Sequence, residues 1–240
     1  MLLPIPKQIT VISPHLDDAV FSCGCLLAES RDALVVTVFA GVPDPEIATP
    51  AWDVATGFSS GCQAVLARRD EDTESMRRLG ARNEWLSFWD SQYGRSYQTS
   101  DLVPALKTVI EQRGGTVLMP MGLRHADHIL TSNACLAVRE AMLLAQPYRE
   151  NGAPPDYPMN WVVYEEATYR QFPGLVLTRL AAWKQAGLTM RAVKFPTSSV
   201  MKKAYAAGAY QSQLPLFGIA KRADMAFPEH YWQLDYERPL

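Results

Sequence analysis

Six consecutive residues, Ser13-Pro14-His15-Leu16-Asp17-Asp18, place an imidazole and two carboxylates within four positions, where the apolar run 9–12 gives way to Ala19-Val20-Phe21. Donor atoms at that density point to a cation. A His and an Asp three apart on a first helical turn share a face, and the residue before the Asp is rotated roughly 100° away. His15 and Asp18 are therefore placed to converge on one ion, with Asp17 left to face whatever approaches it. The same residue types return in Arg124-His125-Ala126-Asp127-His128, and the two stretches hold three of the chain's 4 histidines. Zinc sites that catalyse take three nitrogen or oxygen ligands from the protein and leave a fourth position to water. Two histidines and one aspartate meet that rule, but His125 and His128 are also three apart, so spacing does not choose between them. Either stretch alone has an ordinary explanation. Asp17 and Asp18 suit a helix N-terminus, where carboxylates satisfy free amides, and an isolated histidine is more often a surface or hydrogen-bonded one than a ligand. Two compact His/Asp clusters, each after a strand-like run, are not accounted for by capping preferences.

Pro14-His15-Leu16-Asp17-Asp18 with Gly24, and the distant His125-Ala126-Asp127-His128, resemble the two signature motifs of the PIG-L/LmbE-like deacetylases, zinc-dependent enzymes that remove N-acyl groups, mainly acetyl, from amino sugars. Arg68, Glu71 and Leu79-Gly80 are similar to that family's intervening helix, so the resemblance spans about residues 8–140. Leu16 and Ala126 stand where the family usually has prolines, and neither change removes a side chain that does chemistry. The resemblance implies a Zn²⁺ held by His15, Asp18 and His128, with His128 rather than His125 as the third ligand. It implies Asp17 as general base, and His125, steadied by Asp127, stabilising or protonating the tetrahedral intermediate. Asp127 capping the next helix is the plainer reading. Glu165, Glu166 and Tyr169 are implied sugar contacts, to which Arg68, Arg124 and Asp90 are added. Sites built from N and O donors select their ion by geometry and supply, which leaves other divalent metals open. A metal-dependent hydratase, another amidase or a non-catalytic sugar-binding protein could use the same scaffold. The presence of Asp17, which is not needed as a ligand, argues against binding alone.

The elements that must position these residues follow from hydrophobic pattern. Residues 8–13 read as a buried strand, 17–30 as a helix, and 33–40 as a β-branched run of the kind covered on both faces. Strand, helix and strand in that span form a βαβ unit with parallel strands. Gly24 is expected to let the helix lie close to the sheet. Residues 41–61 read as a long functional loop in which Trp52 and Phe58 are available to line a sugar. A helix is expected over 62–79, with Gly80 behind it and the charge run 68–74 mostly solvated. A strand over 84–89 brings Asp90 to a carboxyl end, where open parallel sheets bind ligands. Helices over 102–113, 129–144, 175–186 and 199–211, strands over 116–119, 161–164 and 190–195, and a loop over 146–158 complete the pattern; the C-terminal tail offers no clear element. The fold class expected is α/β: a Rossmann-like single domain, residues 1–240, with a mostly parallel central sheet and helices on both faces.

Composition is compatible with this. A 48% hydrophobic content supplies a core for 240 residues. A formal charge of −2 argues against gripping nucleic acid through a basic face and favours a small-molecule, amino-sugar partner. No window has the 18 or more apolar residues of a membrane span, and a soluble, cytoplasmic protein is expected; oligomeric state is left open. Cys23, Cys25, Cys62 and Cys135 form no metal-binding or disulfide pattern and read as buried thiols. His230 lacks a partner motif and reads as structural or exposed.

Overall fold

The computed structural model describes residues 1–145 and 159–235, so the loop expected over 146–158 lies outside the described residues. Seven strands, β1 (Gln8–Ser13), β2 (Asp32–Thr37), β3 (Arg82–Trp85), β4 (Gly115–Pro120), β5 (Met159–Tyr164), β6 (Met190–Val193) and β7 (Tyr231–Leu234), form one sheet in the order β3-β2-β1-β4-β5-β7-β6. Neighbours from β3 to β5 are parallel, and β7 runs antiparallel to both β5 and β6. The helices are α1 (Asp18–Glu29), α2 (Ala51–Ala55), α3 (Gly61–Leu79), α4 (Thr99–Arg113), α5 (Ala126–Ala145), α6 (Leu175–Gln185), α7 (Val200–Ala207) and α8 (Ile219–Ala226).

Strand side chains alternate between two cores. Ile9, Val11, Val35 and Leu118 pack with α1, α3 and α7 residues such as Phe21, Met76 and Ala206. Ile12, Val36, Val117 and Met119 pack with α4 and α5 residues such as Leu106 and Val138, and with Trp183 of α6. Both faces of the central strands are thus buried, which is why they read as continuous apolar runs. The expected α/β class, mostly parallel sheet and two-sided helical cover are all present.

Several boundaries differ for local reasons. β2 stops at Thr37 while Val38 to Ala40 continue as buried non-ladder chain. β3 lies earlier than expected, at an edge where only alternate side chains are covered, so its sequence Arg-Asn-Glu-Trp lacks a strand-like apolar run. Gly24 allows close approach to α7 rather than to the sheet, since a Cβ there would lie 2.6 Å from Lys203 Cγ. The charge run is not simply solvated: Arg68 and Asp72, four apart, are buried on the inner face of α3. Cys23, Cys25 and Cys135 are buried and Cys62 is half-buried. Among the described residues no helix is long and apolar enough to cross a membrane.

Candidate active site

β1 and β4 are adjacent, yet β1 leads away to β2 on one side while β4 continues to β5 on the other. Their carboxyl ends therefore flank the switch point at which open α/β sheets bind ligands. The two His/Asp stretches emerge there. His15 sits in the turn between β1 and α1, not on the helix, because α1 begins at Asp18. That turn is tied by three bonds: Ser13 Oγ donates to the His15 carbonyl, Ala19 N–H donates to Ser13 Oγ, and His15 N–H donates to Asp18 Oδ2 at 2.9 Å. A tied turn, rather than helical periodicity, brings His15 and Asp18 together. His128 arrives from the first turn of α5 and is 1% exposed.

The resulting triangle is small. His15 Nδ1 and Asp18 Oδ2 are 3.4 Å apart, His128 Nε2 and Asp18 Oδ2 3.1 Å, and His128 Nε2 and His15 Nδ1 3.2 Å. Ligands ~2.0–2.1 Å from a tetrahedral ion are separated by about 3.3 Å, so this donor set fits a divalent cation without rearrangement. His15, His125 and His128 also bring ring nitrogens within 4.8 Å, as do donors of His15, Asp90 and Asp127. In the second set His15 Nε2 lies 3.0 Å from Asp127 and 3.8 Å from Asp90.

Around the triangle, charge is balanced by protons in the metal-free protein. Burial lowers the pKa of His128, but the Asp18 carboxylate outweighs it and the result is pushed up to about 9. His15 is raised in the same way by Asp90, Asp127 and Asp18 against its burial. Asp18 is held far below the ordinary carboxylate range, its own burial being overcome by His128. Asp17 differs. Burial and the adjacent Asp18 charge push its carboxyl well up, and no hydrogen bond is among the causes. It lines the cavity beside the triangle.

Asp127 and His125 are arranged otherwise than the sequence suggested. The Asp127 carboxylate lies 3.0 Å from His15 Nε2 and accepts the Ser91 N–H at 3.1 Å, but is 3.9 Å from His125 Nδ1. It therefore steadies His15. His125 is held by the Asp127 backbone N–H, which donates to Nδ1 at 3.2 Å. Burial, then the charges of His15 and His128, lower the His125 pKa. A neutral His125 accepting at Nδ1 carries its proton on Nε2.

The cavity measures about 280 Å³ and is walled by Phe39, Trp52, Tyr93 and Tyr169, with Arg68 and Asp90 among its polar residues. Arg68 is anchored to the fully buried Asp53 at 2.6 Å, and Asp53 also accepts the Tyr93 hydroxyl at 2.8 Å. Phe58 stands under the Arg68 guanidinium, 5.7 Å away. Asp90 accepts from the backbone and side-chain amides of Gln92.

Three expected substrate contacts lie elsewhere. Arg124, at φ 58, stacks on Phe172. Glu165 is taken up by β7, its carboxylate accepting from Trp232 Nε1 and meeting the half-exposed His230. Glu166 is fully buried: Oε1 accepts Gly122 and Leu123 N–H at 2.8 Å each and lies 3.4 Å from His128 Nδ1. Once neutral, with its Nδ1 proton directed at Glu166, His128 would present a bare Nε2 to the triangle, the arrangement by which outer carboxylates orient metal-binding histidines. Sequence reasoning missed Asp53, Thr168, Gln213, Phe217 and Lys221. The last three come from the uninterpreted tail, which closes over the cavity from α8 and the turn before it.

The α/β sheet thus carries at its switch point a His–Asp–His triangle with the spacing of a divalent-cation site, and a buried carboxylate lies beside it. The chain belongs to the PIG-L family, whose model, described as GlcNAc-PI de-N-acetylase, matches residues 10–139. No curated protein sequence matches it. Among solved structures it is similar to a deacetylase triple mutant from the teicoplanin biosynthetic pathway, with TM-score 0.75 and 22% identity over 95% of this chain and 98% of that one. It is also similar to the antimicrobial A40926 pseudoaglycone deacetylase, with TM-score 0.69 and 27% identity over 97% and 99%. N,N'-diacetylchitobiose deacetylase from Pyrococcus horikoshii gives TM-score 0.55 and 20% identity over 89% and 72%.

Proposed function

We propose that this protein is a zinc-dependent hydrolase that removes an N-acetyl or related N-acyl group from an amino sugar. The observation that carries the reading is the His15–Asp18–His128 triangle, with edges of 3.1 to 3.4 Å, beside a buried Asp17 that is not committed to it. Family membership and the deacetylase names of its structural neighbours support the reaction class. The aromatic walls and a volume of about 280 Å³ suit one monosaccharide unit, just below the ordinary range for drug-sized ligands.

His15, Asp18 and His128 would hold the divalent ion, which would supply a bound water of lowered pKa, toward ~7, and a Lewis acid for the acyl carbonyl. Asp17, buried at the cavity wall beside the triangle, is placed to take the proton of the attacking water. The same proton can then pass from Asp17 to the departing amine, so no second acid is required. His125 Nε2–H donates to the oxyanion, and the Asp127 backbone amide keeps the ring in that tautomer. Asp127 orients His15, and Glu166 orients His128.

Release of acetate from a panel of N-acetylglucosaminyl compounds, free, nucleotide-linked, lipid-linked and glycosidic, tests the reaction. Substrate consumption without acetate, as in hydration of a double bond, would contradict it, as would full activity in a metal-depleted protein.

A further inference from the structure

The polar lining of the cavity is divided by chemistry. Asp17, Asp18 and Asp90 supply acceptors around the histidines, whereas Thr168 and Tyr169, just after β5, and Lys221, on α8, supply hydroxyl and ammonium donors. None of these three side chains has a hydrogen-bond or ion-pair partner among the described residues. The Lys221 amine instead lies 5.5 Å over the Tyr169 ring and 5.3 Å over the Phe217 ring. Arg68 is neutralised by Asp53, which leaves Lys221 as the lining Lys or Arg side chain without a carboxylate.

Thr168 adds an independent sign. It is 4% exposed and holds φ 77, the left-handed region that a β-branched residue adopts only under constraint. The constraint is visible: Thr168 N–H donates to Asp224 Oδ2 at 2.7 Å, and the buried Asp224 is itself salt-bridged to Arg170 at 2.9 Å. Asp224 and Lys221 are three apart on α8 and share a face. One helix face therefore both clamps the strained residue and delivers the unpaired cation to the cavity.

We propose that Thr168, Tyr169 and Lys221 form an edge that reads an anionic group, phosphate or carboxylate, carried on the amino sugar or directly attached to it. The proposal rests on the deacetylase reading and specifies its substrate. Tyr169 sets the scale. Its ring is 5.1 Å from the His128 ring and 5.5 Å from the Lys221 amine, so it lies between the reaction centre and the cation. Burial, followed by the Asp18 charge, raises the Tyr169 phenol, so it stays a neutral donor.

The test compares acetate release by the zinc-loaded protein from N-acetylglucosamine 1-phosphate, N-acetylmuramic acid and neutral methyl N-acetylglucosaminide. A hydrogen bond to a charged group corresponds to about tenfold or more, so kcat/KM for at least one anionic compound should exceed the neutral one by that factor, mainly through KM. Gain for phosphate alone or carboxylate alone identifies which anion is read. Lys221→Ala should bring the ratio toward one, Lys221→Glu should invert it, and Lys221→Arg should preserve it. Thr168→Gly keeps the backbone conformation, and is expected to lower the ratio while Tm holds or rises; a purely structural Thr168 would leave the ratio alone. No preference for either anionic compound, or a preference unchanged in Lys221→Ala and Lys221→Glu, overturns the proposal. If no compound releases acetate, the deacetylase reading fails separately. Calorimetric titration of N-acetylglucosamine 1-phosphate and the neutral glycoside into wild type and Lys221→Ala then decides the edge: tighter anion binding lost in the variant supports it, and equal binding overturns it.

Discussion

Two carboxylates near His128 have opposite duties. Asp17 faces the cavity, and its loss should stop the reaction while sparing the metal: Asp17→Asn is expected to lower kcat by ~10²–10⁴-fold at unchanged zinc content. Acetate release at matched metal occupancy checks this, and near-normal turnover would require another base. Glu166 never reaches the substrate, so Glu166→Gln should weaken metal affinity by ~10–100-fold, since the amide cannot fix the His128 tautomer as a carboxylate does, while turnover of the fully loaded protein changes less. Competition with a chromogenic chelator separates the two effects. His15 and Asp18 were legible because their motif is local, whereas the choice of His128 over His125 came from the family resemblance and not from spacing. Glu166 was not legible. In one dimension it is an acid at a strand end, indistinguishable from a substrate contact; only the pairing of β4 with β5 shows its carboxylate turned toward the β4 turn. Asp53 was equally hidden in a loop, its meaning dependent on Arg68 fifteen residues later.

The turn after β4 carries as much of the site as the helix that follows it. Gly122, at φ 82, has its N–H on Glu166, and a Cβ there would lie 2.7 Å from Ser132 Cβ. Gly122→Ala combines that contact with a left-handed cost of about 1–2 kcal/mol. Thermal unfolding should fall by on the order of 5 °C for a chain of this size, and zinc affinity should fall with it, because the turn holds the Glu166 carboxylate. An unchanged Tm would show that the turn can flip without consequence. Central strands and long helices were readable because burial on both sheet faces and sustained periodicity write themselves into composition. The C-terminal elements were not, since α8 and β7 are 8 and 4 residues long and acquire meaning from what they cover. β7 is a strand only by virtue of β5 and β6 on either side, and α8 by the cavity wall it completes.

Across the whole molecule, protons occupy the two imidazoles that would hold a metal. In the metal-free protein His128 is raised from its ordinary value to about 9, so its contribution to stability is complete below about pH 6.5 and disappears as pH rises through 9; His15 shifts in the same direction. Chelated protein should accordingly lose Tm across that window, and zinc-loaded protein should not, because its imidazoles are already deprotonated. Parallel melting curves from pH 6 to 9.5 test it, and identical slopes would contradict it. The β1–β4 pairing that builds the triangle has a further consequence in time. His15 and Asp18 precede His128 by more than a hundred residues, with β2, α3, β3 and α4 lying between them. A growing or refolding chain that has formed only its first βαβ unit offers two ligands, too few for tight capture. Ion uptake should therefore trail the slow, non-local docking of β4 onto β1, and in a refolding time course zinc binding should mark the arrival of the second half of the sheet rather than the collapse of the first.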